Sequence, residues 1–564
     1  MLRGTHPKVC LGEGGQYDCG PAWVSLGLFN VTKSEPMNVH MTLENHVEQT
    51  YVEFMASRPC PKSPKMYKKR KKGPLLELQL LDSERVEAKL KRSNSILGTP
   101  VKKNTYVFHK SDTSITDRAL ELGIEVEEIP SYVRVVPSES PEPCVPDLRG
   151  LYDFQREGVL RAIRFGRACL FDEMGLGKTV QALMLLQHYR GRSLVICPSY
   201  LTLNWVREGE AWGVSLSRVR NGKDAIPEGN VVISYDLAAR RVSELGSFRS
   251  VVCDESHYLK SHKTKRTQRL KPLVLRTPHA FLLSGTPAAN RPVELYSQVS
   301  MIQPRCWGTY TQFVNRYCGA KYSPLGFVDV SGATRKSELS FRLKQVCMIR
   351  RLKRDVLTSL PPKTRTRVNL ECSGSREIRV LRARWSEINA LEPDVPAALV
   401  LERQRLVSEL FRATCLVKRD CVRRYLEDLP PNVIVFAYHQ SMLDLICETL
   451  ECVRIDGGTP MEARQPALDK FISGEVPYAA LSIKAAGTGL TITSCSTVVF
   501  AELYFVPGDL LQAEDRTHRI GQSFPVDVRY LCADNTLDDH VWRMVHRKLR
   551  VTDSCLDGRS DRKF

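Results

Sequence analysis

From residue 148 onward, short apolar runs alternate with helical stretches, and this alternation narrows the possible folds more than any other feature of the chain. Residues 194–196, 231–233, 251–253 and 281–283 are wholly apolar, and each run gives way to polar sequence. A strand exposed on one face alternates apolar and polar residues, whereas a continuous apolar strand is covered on both faces, as in a parallel sheet flanked by helices. The pattern lapses between about 300 and 425, where charged helical sequence dominates, and resumes at 433–436, 453–455, 479–483 and 498–501. The expected fold class is therefore α/β, with two parallel-sheet lobes and a mostly helical insertion between them. No solenoid-length repeat or heptad pattern interrupts this reading.

Punctuation and charge set the boundaries. Residues 1–75 carry little periodicity and are expected to be a largely irregular, partly disordered N-terminal region. They close on the consecutive cations Lys68, Lys69, Arg70, Lys71 and Lys72, which repel one another and disfavour a packed core. That run suits a solvated linker, a nuclear-import signal or a contact to a nucleic-acid backbone. Residues 76–145 form a small accessory region, with a strand expected over 75–81 and a helix over 114–122. Ser138, Ser140, Pro141, Pro143 and Pro146 end it. The first lobe then spans 146–300, the helical insertion and brace 301–425, the second lobe 426–547 and a tail 548–564.

A formal charge of +19 and a pI near 9.2 favour polyanionic partners, because each phosphate contact releases condensed counterions. The longest apolar stretches, such as 497–501, fall far short of the roughly 18 residues that a membrane helix needs. Arg3 and Lys8 are not followed by an apolar signal core, so a soluble, intracellular protein is expected. None of the 18 cysteines forms a C-x-x-C pair, and most lie in apolar runs, as reduced buried thiols do.

The chemistry begins at Asp172-Glu173-Met174-Gly175-Leu176-Gly177-Lys178-Thr179, between an apolar run and a helical one. A strand, a glycine-bearing loop and a helix N-terminus together cradle an anion through backbone N–H groups and the helix dipole. Lys178 would hold the β- and γ-phosphates of a nucleotide, and the Thr179 hydroxyl would ligate Mg2+. Asp172 stands where the strict phosphate-loop pattern has its first glycine. About 75 residues further on, a second strand ends in Asp254-Glu255-Ser256-His257. Asp254 is placed to anchor Mg2+ and Glu255 to polarise the attacking water.

Together these segments resemble the Swi/Snf-type branch of the superfamily 2 helicase-like ATPases. Further blocks follow in the family's order. Asp153-Phe154-Gln155-Arg156-Glu157-Gly158 resembles the adenine-side Q motif, with Gln155 as the base contact and Asp153 where the family usually has proline. Cys197-Pro198-Ser199 with Asn204-Trp205 resembles motif Ia, Ile233-Ser234-Tyr235-Asp236 the block after it, and Leu283-Ser284-Gly285-Thr286-Pro287, with Asn290 and Glu294, motif III. In the second lobe, residues 433–436 resemble motif IV and 454–457 the strand after it. Ile483-Lys484-Ala485-Ala486-Gly487-Thr488-Gly489-Leu490 resembles motif V, and 512–522, from Gln512 to Gln522, motif VI. The resemblance covers roughly 148 to 545, about 70% of the chain.

It implies two RecA-like lobes closing on one ATP, with Asp172 to Thr179, Gln155 and Gln512 around the nucleotide. Arg516 and Arg519 would reach from the second lobe toward the γ-phosphate, where a guanidinium is typically worth about 10³–10⁵ in rate. Ser199, Asn204, Lys484 and Thr488 are the implied DNA-backbone contacts, which position without reading sequence. Residues 348–363 resemble the family's brace. Residues 313–318 and 499–503 resemble the annealing-helicase subfamily, which rewinds or remodels forked DNA. The implied protein is a nuclear (or, if viral or non-eukaryotic, nucleic-acid-associated) monomeric DNA-dependent ATPase that moves on double-stranded or forked DNA, with single-strand-binding or replication proteins as partners. A nucleosome remodeller and an ATP-gated nucleic-acid clamp or scaffold remain open alternatives.

Overall fold

A computed structural model describes residues 148–322, 328–372, 374–391, 397–484 and 492–558, together with six short strands nearer the N-terminus. The chain divides into two compact units, residues 1–138 with 304–308 and residues 139–303 with 309–564. In the first unit, Glu53–Met55 pairs antiparallel with both Lys8–Val9 and Thr105–Val107. A second antiparallel sheet places Arg85–Leu90 between Asn38–Thr42 and Leu76–Asp82. That sheet crosses the boundary expected at 75, and the helix expected over 114–122 lies outside the described residues.

The second unit holds both lobes. In the first lobe, seven strands form one parallel sheet in the order Met348–Ile349, Arg167–Leu170, His279–Leu283, Ser250–Cys253, Ser193–Cys197, Val231–Ser234, Ser217–Arg218. The central strands are buried along their length, save for the half-buried His279 at the start of His279–Leu283, which explains their apolar sequence. The helices Asp153–Phe165, Lys178–His188 and Thr202–Ala211 add Val159, Leu183, Leu185 and Trp205 to the core that covers Val195, Val252 and Phe281.

The second lobe is a six-stranded parallel sheet in the order Lys363–Leu370, Val526–Ala533, Thr497–Phe500, Val433–Ala437, Tyr478–Ser482, Cys452–Ile455. Strand periodicity sends Ile434 and Phe436 into the core on one face and Val433, Val435 and Ala437 into the core on the other. The intervening stretch is mostly helical, with Lys336–Val346, Arg376–Ala390 and Ala397–Glu427 its longest helices. It also supplies an edge strand to each sheet, so the second lobe takes its first strand from residue 363, well before the boundary expected at 426. Lys363–Leu370 alternates polar and charged residues because it is an edge strand with only its last residue buried.

Candidate nucleotide site between the lobes

The phosphate loop leaves Arg167–Leu170 and enters the helix Lys178–His188, whose N-cap is Gly177. Gly175 and Gly177 both adopt left-handed backbone, with φ of 80° and 72°. Gly177 is also required for space, since a Cβ there would lie 2.3 Å from Gln155 Nε2. Gln155 Nε2 donates to the Leu176 carbonyl at 3.2 Å, while its Oε1 accepts from the Tyr152 backbone N–H, so this side chain buttresses the loop from the preceding helix. Lys178 Nζ donates to the carbonyls of Asp172 (2.9 Å) and Glu173 (3.2 Å), within the loop itself. Burial lowers its pKa from the ordinary value against the pull of Glu255, Asp172 and Asp254. Thr179 follows in the first helical turn.

Asp172 has a carboxylate directed at the brace. Its Oδ1 accepts from the Arg351 backbone N–H and from Arg351 Nε, both at 2.9 Å, and its Oδ2 accepts from Arg351 and from Gln181 Nε2 at 3.0 Å. The residue is wholly buried. Its side chain thus anchors the loop to the segment joining the lobes, and this is the physical reason for a departure from glycine. The attachment continues along the backbone, where Phe171 N–H donates to Ile349 O and Glu173 N–H to Arg351 O. Met174 packs against the second lobe's core and against Gly285, where a Cβ would meet Met174 Cγ at 2.1 Å.

Asp254 and Glu255 follow Ser250–Cys253, one strand removed from His279–Leu283 and two from Arg167–Leu170. Asp254 Oδ2 accepts from Trp205 Nε1 at 2.9 Å and Oδ1 from the Glu255 backbone N–H at 2.8 Å. Tyr235 Oη donates to the Asp254 carbonyl at 2.8 Å. Burial first, and then the Glu255 charge, raise the Asp254 carboxyl above the ordinary range. Burial pushes Glu255 up as well, but His257, Lys178 and Arg516 outweigh it and bring that carboxyl below its usual value. Glu255 sits at φ 49°, a strained conformation for a residue with a side chain, and its Oε2 lies 3.2 Å from His257 Nδ1. His257 Nδ1 lies 3.3 Å from Ser284 Oγ, and Ser256 Oγ donates to Gln298 Oε1 at 2.7 Å. The Asp254-Glu255-Ser256-His257 segment is thereby joined to motif III and the helix Glu294–Ile302.

The second lobe brings Arg516 and Arg519 to this site from the turn after the helix Pro507–Glu514, which also carries the buried Gln512. A Cβ on Gly175 would lie 2.9 Å from Arg519 Cβ, so the loop's glycine admits the second lobe at close range. Gly508 makes a similar approach, its added Cβ falling 2.8 Å from that of Ala289. Burial lowers both arginines; Tyr200, Glu255 and Asp515 oppose the shift at Arg516, whereas the like charge of Arg516 adds to it at Arg519. Half-buried cations from both lobes around a left-handed glycine loop suit a polyphosphate, and two adjacent half-buried carboxylates suit a divalent cation.

The implied DNA contacts divide. Ser199 and Asn204 are exposed in the first lobe and Lys484 in the second, where its Nζ stands 5.3 Å from the Tyr438 ring centroid and 5.8 Å from that of Tyr504. Thr488 lies outside the described residues. The cysteines of the described residues are free thiols, including Cys447 and Cys452, whose sulfurs are 3.3 Å apart. No helix of the described residues is long and apolar enough to cross a membrane. Arg351, Lys353 and the role of Trp205 at Asp254 went unread in the sequence; the brace resemblance at 348–363 and Trp205 beside Asn204 were the signals available.

Two parallel-sheet lobes that share one glycine-loop site define a helicase-like nucleotide-binding core. The family model of the SNF2-related domain matches residues 47–378 and that of the helicase conserved C-terminal domain matches 417–521, and the chain belongs to the SNF2-related family. It is 38% identical over 442 residues to the mouse (Mus musculus) protein named DNA annealing helicase and endonuclease ZRANB3, covering 73% of this chain and 41% of that protein. A Xenopus laevis protein named SWI/SNF-related matrix-associated actin-dependent regulator of chromatin subfamily A-like protein 1 is 38% identical over 424 residues, covering 71% and 43%. The Caenorhabditis elegans homolog of that protein is 35% identical over 479 residues, covering 78% and 68%. The chain thus spans about two-fifths of the length of the first two relatives. The Sulfolobus solfataricus SWI2/SNF2 ATPase core in complex with dsDNA matches at 22% identity and a TM-score of 0.36, covering 74% of this chain and 96% of that one.

Proposed function

We propose that this protein is a DNA-dependent ATPase that translocates on double-stranded DNA and rewinds or remodels forked DNA in the nucleus, in replication-stress response and repair. The observation that carries the reading is the division of one nucleotide site between two lobes, with Lys178, Asp254 and Glu255 on the first and Arg516 and Arg519 on the second. Hydrolysis then requires closure, and closure moves whatever each lobe grips. The relatives named for annealing-helicase activity support the fork-directed form of this reading.

In this mechanism Thr179 and Asp254 would hold Mg2+, which when bound would neutralise charge on the transferring phosphoryl group. Lys178 leaves the carbonyls of Asp172 and Glu173 for the β- and γ-phosphates. Glu255 orients the attacking water, while His257 beside its carboxylate passes the state of the site to Ser284 and motif III. Trp205 fixes the rotamer of Asp254. Arg516 and Arg519 stabilise the equatorial oxygens when the lobes meet. Ser199, Asn204, Lys484 and Thr488 are the backbone contacts on the two lobes.

Comparing ATP turnover with duplex DNA, forked DNA, single-stranded DNA, RNA and no nucleic acid tests the proposal. The forked substrate is expected to stimulate most. Equal rates with and without nucleic acid refute the motor, and stimulation by nucleosomes in preference to forks would move the protein to chromatin remodelling.

A further inference from the structure

The segment 350–362 runs from the last strand of the first lobe, Met348–Ile349, to the edge strand of the second, Lys363–Leu370, and so forms a strap between them. One residue of the strap grips both halves of the nucleotide site. The Lys353 backbone N–H donates to Glu173 Oε2 of the phosphate loop at 2.8 Å. Its ammonium donates to the His518 carbonyl and pairs with Asp515 Oδ1 at 3.0 Å. Asp515 immediately precedes Arg516, and His518 immediately precedes Arg519. The lysine stem lies beside Gly175, 3.4 Å from where a Cβ would be, on the same glycine that Arg519 approaches.

We propose that Lys353 is a positioning residue for Arg516 and Arg519, which it aligns with the phosphate loop by clamping Glu173 through its backbone and Asp515 and His518 through its ammonium. The inference rests on the reading of the shared site as an ATPase centre. Other cations also hold this turn: Lys363 pairs with Glu514 at 2.8 Å and with Asp515 at 2.7 Å, and Arg365 pairs with Glu514 at 2.7 Å. Both belong to the second lobe's own edge strand, so they brace the turn without referring it to the other lobe. Lys353 supplies that reference. Its side chain is 5% exposed and that of Asp515 4%, and a buried ion pair is seldom needed for stability alone, since apolar packing serves as well. What the pair supplies here is registry: a guanidinium an ångström out of place costs on the order of 100-fold in rate.

The test uses the full chain with Lys353→Met, which keeps the unbranched stem and the backbone N–H and leaves Asp515 paired to Lys363. DNA-stimulated kcat is expected to fall on the order of 10- to 100-fold, with the Kd for a fluorescent ATP analogue changed less than about twofold, because the phosphate cradle is intact. Combining it with Arg519→Ala is expected to lose little beyond Arg519→Ala alone, as for groups that act as a unit. Unchanged kcat, or losses that multiply in the double variant, would overturn the inference. If Lys353→Met does not fold, Asp515→Asn is measured in its place with the same expected loss and the same refuting results. A wild-type chain with no ATP turnover that Lys178→Ala abolishes would instead overturn the reading of the site, before any Lys353 variant is compared.

Discussion

Asp172→Gly would restore the first glycine of the strict phosphate-loop pattern, so motif reasoning alone predicts a neutral or improved protein. The structure predicts damage. Asp172 is fully buried and the Arg351 side chain is 13% exposed, and between them run contacts from the Arg351 backbone N–H and two of its guanidinium nitrogens, with Gln181 joining from the next helix. Removing one partner of such a pair strands a buried charge, at a cost of about 3–5 kcal/mol. At roughly 2–4 °C per kcal/mol for a unit of this size, the thermal midpoint of the first lobe should fall on the order of 10 °C. Asp172→Ala should behave similarly, whereas Asp172→Leu combined with Arg351→Met removes both charges and should recover most of the loss. The assay is thermal and urea unfolding of each variant, followed by ATP-analogue titration at a temperature where all are folded. Affinity should drop in the single variants because the loop has lost its attachment to the strap. A glycine variant as stable as the wild type, with unchanged affinity, would refute the assignment of Asp172 as an anchor.

Four shorter predictions concern the same site. Gly158→Ala in the helix Asp153–Phe165 should destabilise despite the roughly 1 kcal/mol gain in helix propensity, because the new Cβ would lie 2.3 Å from both an Arg351 guanidinium nitrogen and Gln181 Oε1; a raised melting temperature would contradict this. Glu255→Gln should retain ATP binding and lose turnover, and normal turnover would mean that another group positions the water. Trp205→Phe removes the donor to Asp254 Oδ2 and puts a smaller ring in the core, so Mg2+-dependent turnover should fall by several-fold and the melting temperature should drop as well. Burial, with Lys353 and Lys363, holds His518 down at about 4, so the unfolded chain binds a proton that the native state refuses as pH falls from about 6.5 toward 4. Stability should therefore decline over that window, and His518→Gln should flatten the decline; an unchanged slope would show that other groups dominate.

How much of this was legible depended on whether the signal was local. The strands Ser193–Cys197, Val231–Ser234, Ser250–Cys253 and Val433–Ala437 were readable to within a residue, because a strand buried on both faces must be apolar throughout. Lys363–Leu370 was not, since its Lys-Thr-Arg-Thr-Arg pattern belongs equally to an exposed edge or a loop, and only its pairing with Val526–Ala533 makes it a strand. Met348–Ile349 is too short to announce itself. In the site, Lys178 and Thr179 open a helix behind the glycine loop and Asp254 and Glu255 follow a buried strand, each pair with its motif neighbours beside it, so chemistry and position could be read together. Arg351 and Lys353 meet Asp172 and Glu173 from about 180 residues away, and nothing near either end encodes the partner.

That difference in legibility follows a difference in task. Residues that touch phosphate are constrained by the ligand, which is the same in every such enzyme, so their types and spacing recur. Residues that connect the lobes are constrained only by one another: Asp172 needs a buried donor pair, Arg351 needs a buried acceptor, and Gly158 must leave room for both. No one of these residues marks the contact by its type alone, so it is read only from the three together. The acidic residue in place of the motif's first glycine is the point where the two kinds of constraint meet. It stands inside the phosphate-loop motif and looks out of place, yet its carboxylate pairs with the strap. An atypical residue inside a phosphate loop is therefore better read as a question about what the loop is fastened to than as a weakness in its claim to bind nucleotide.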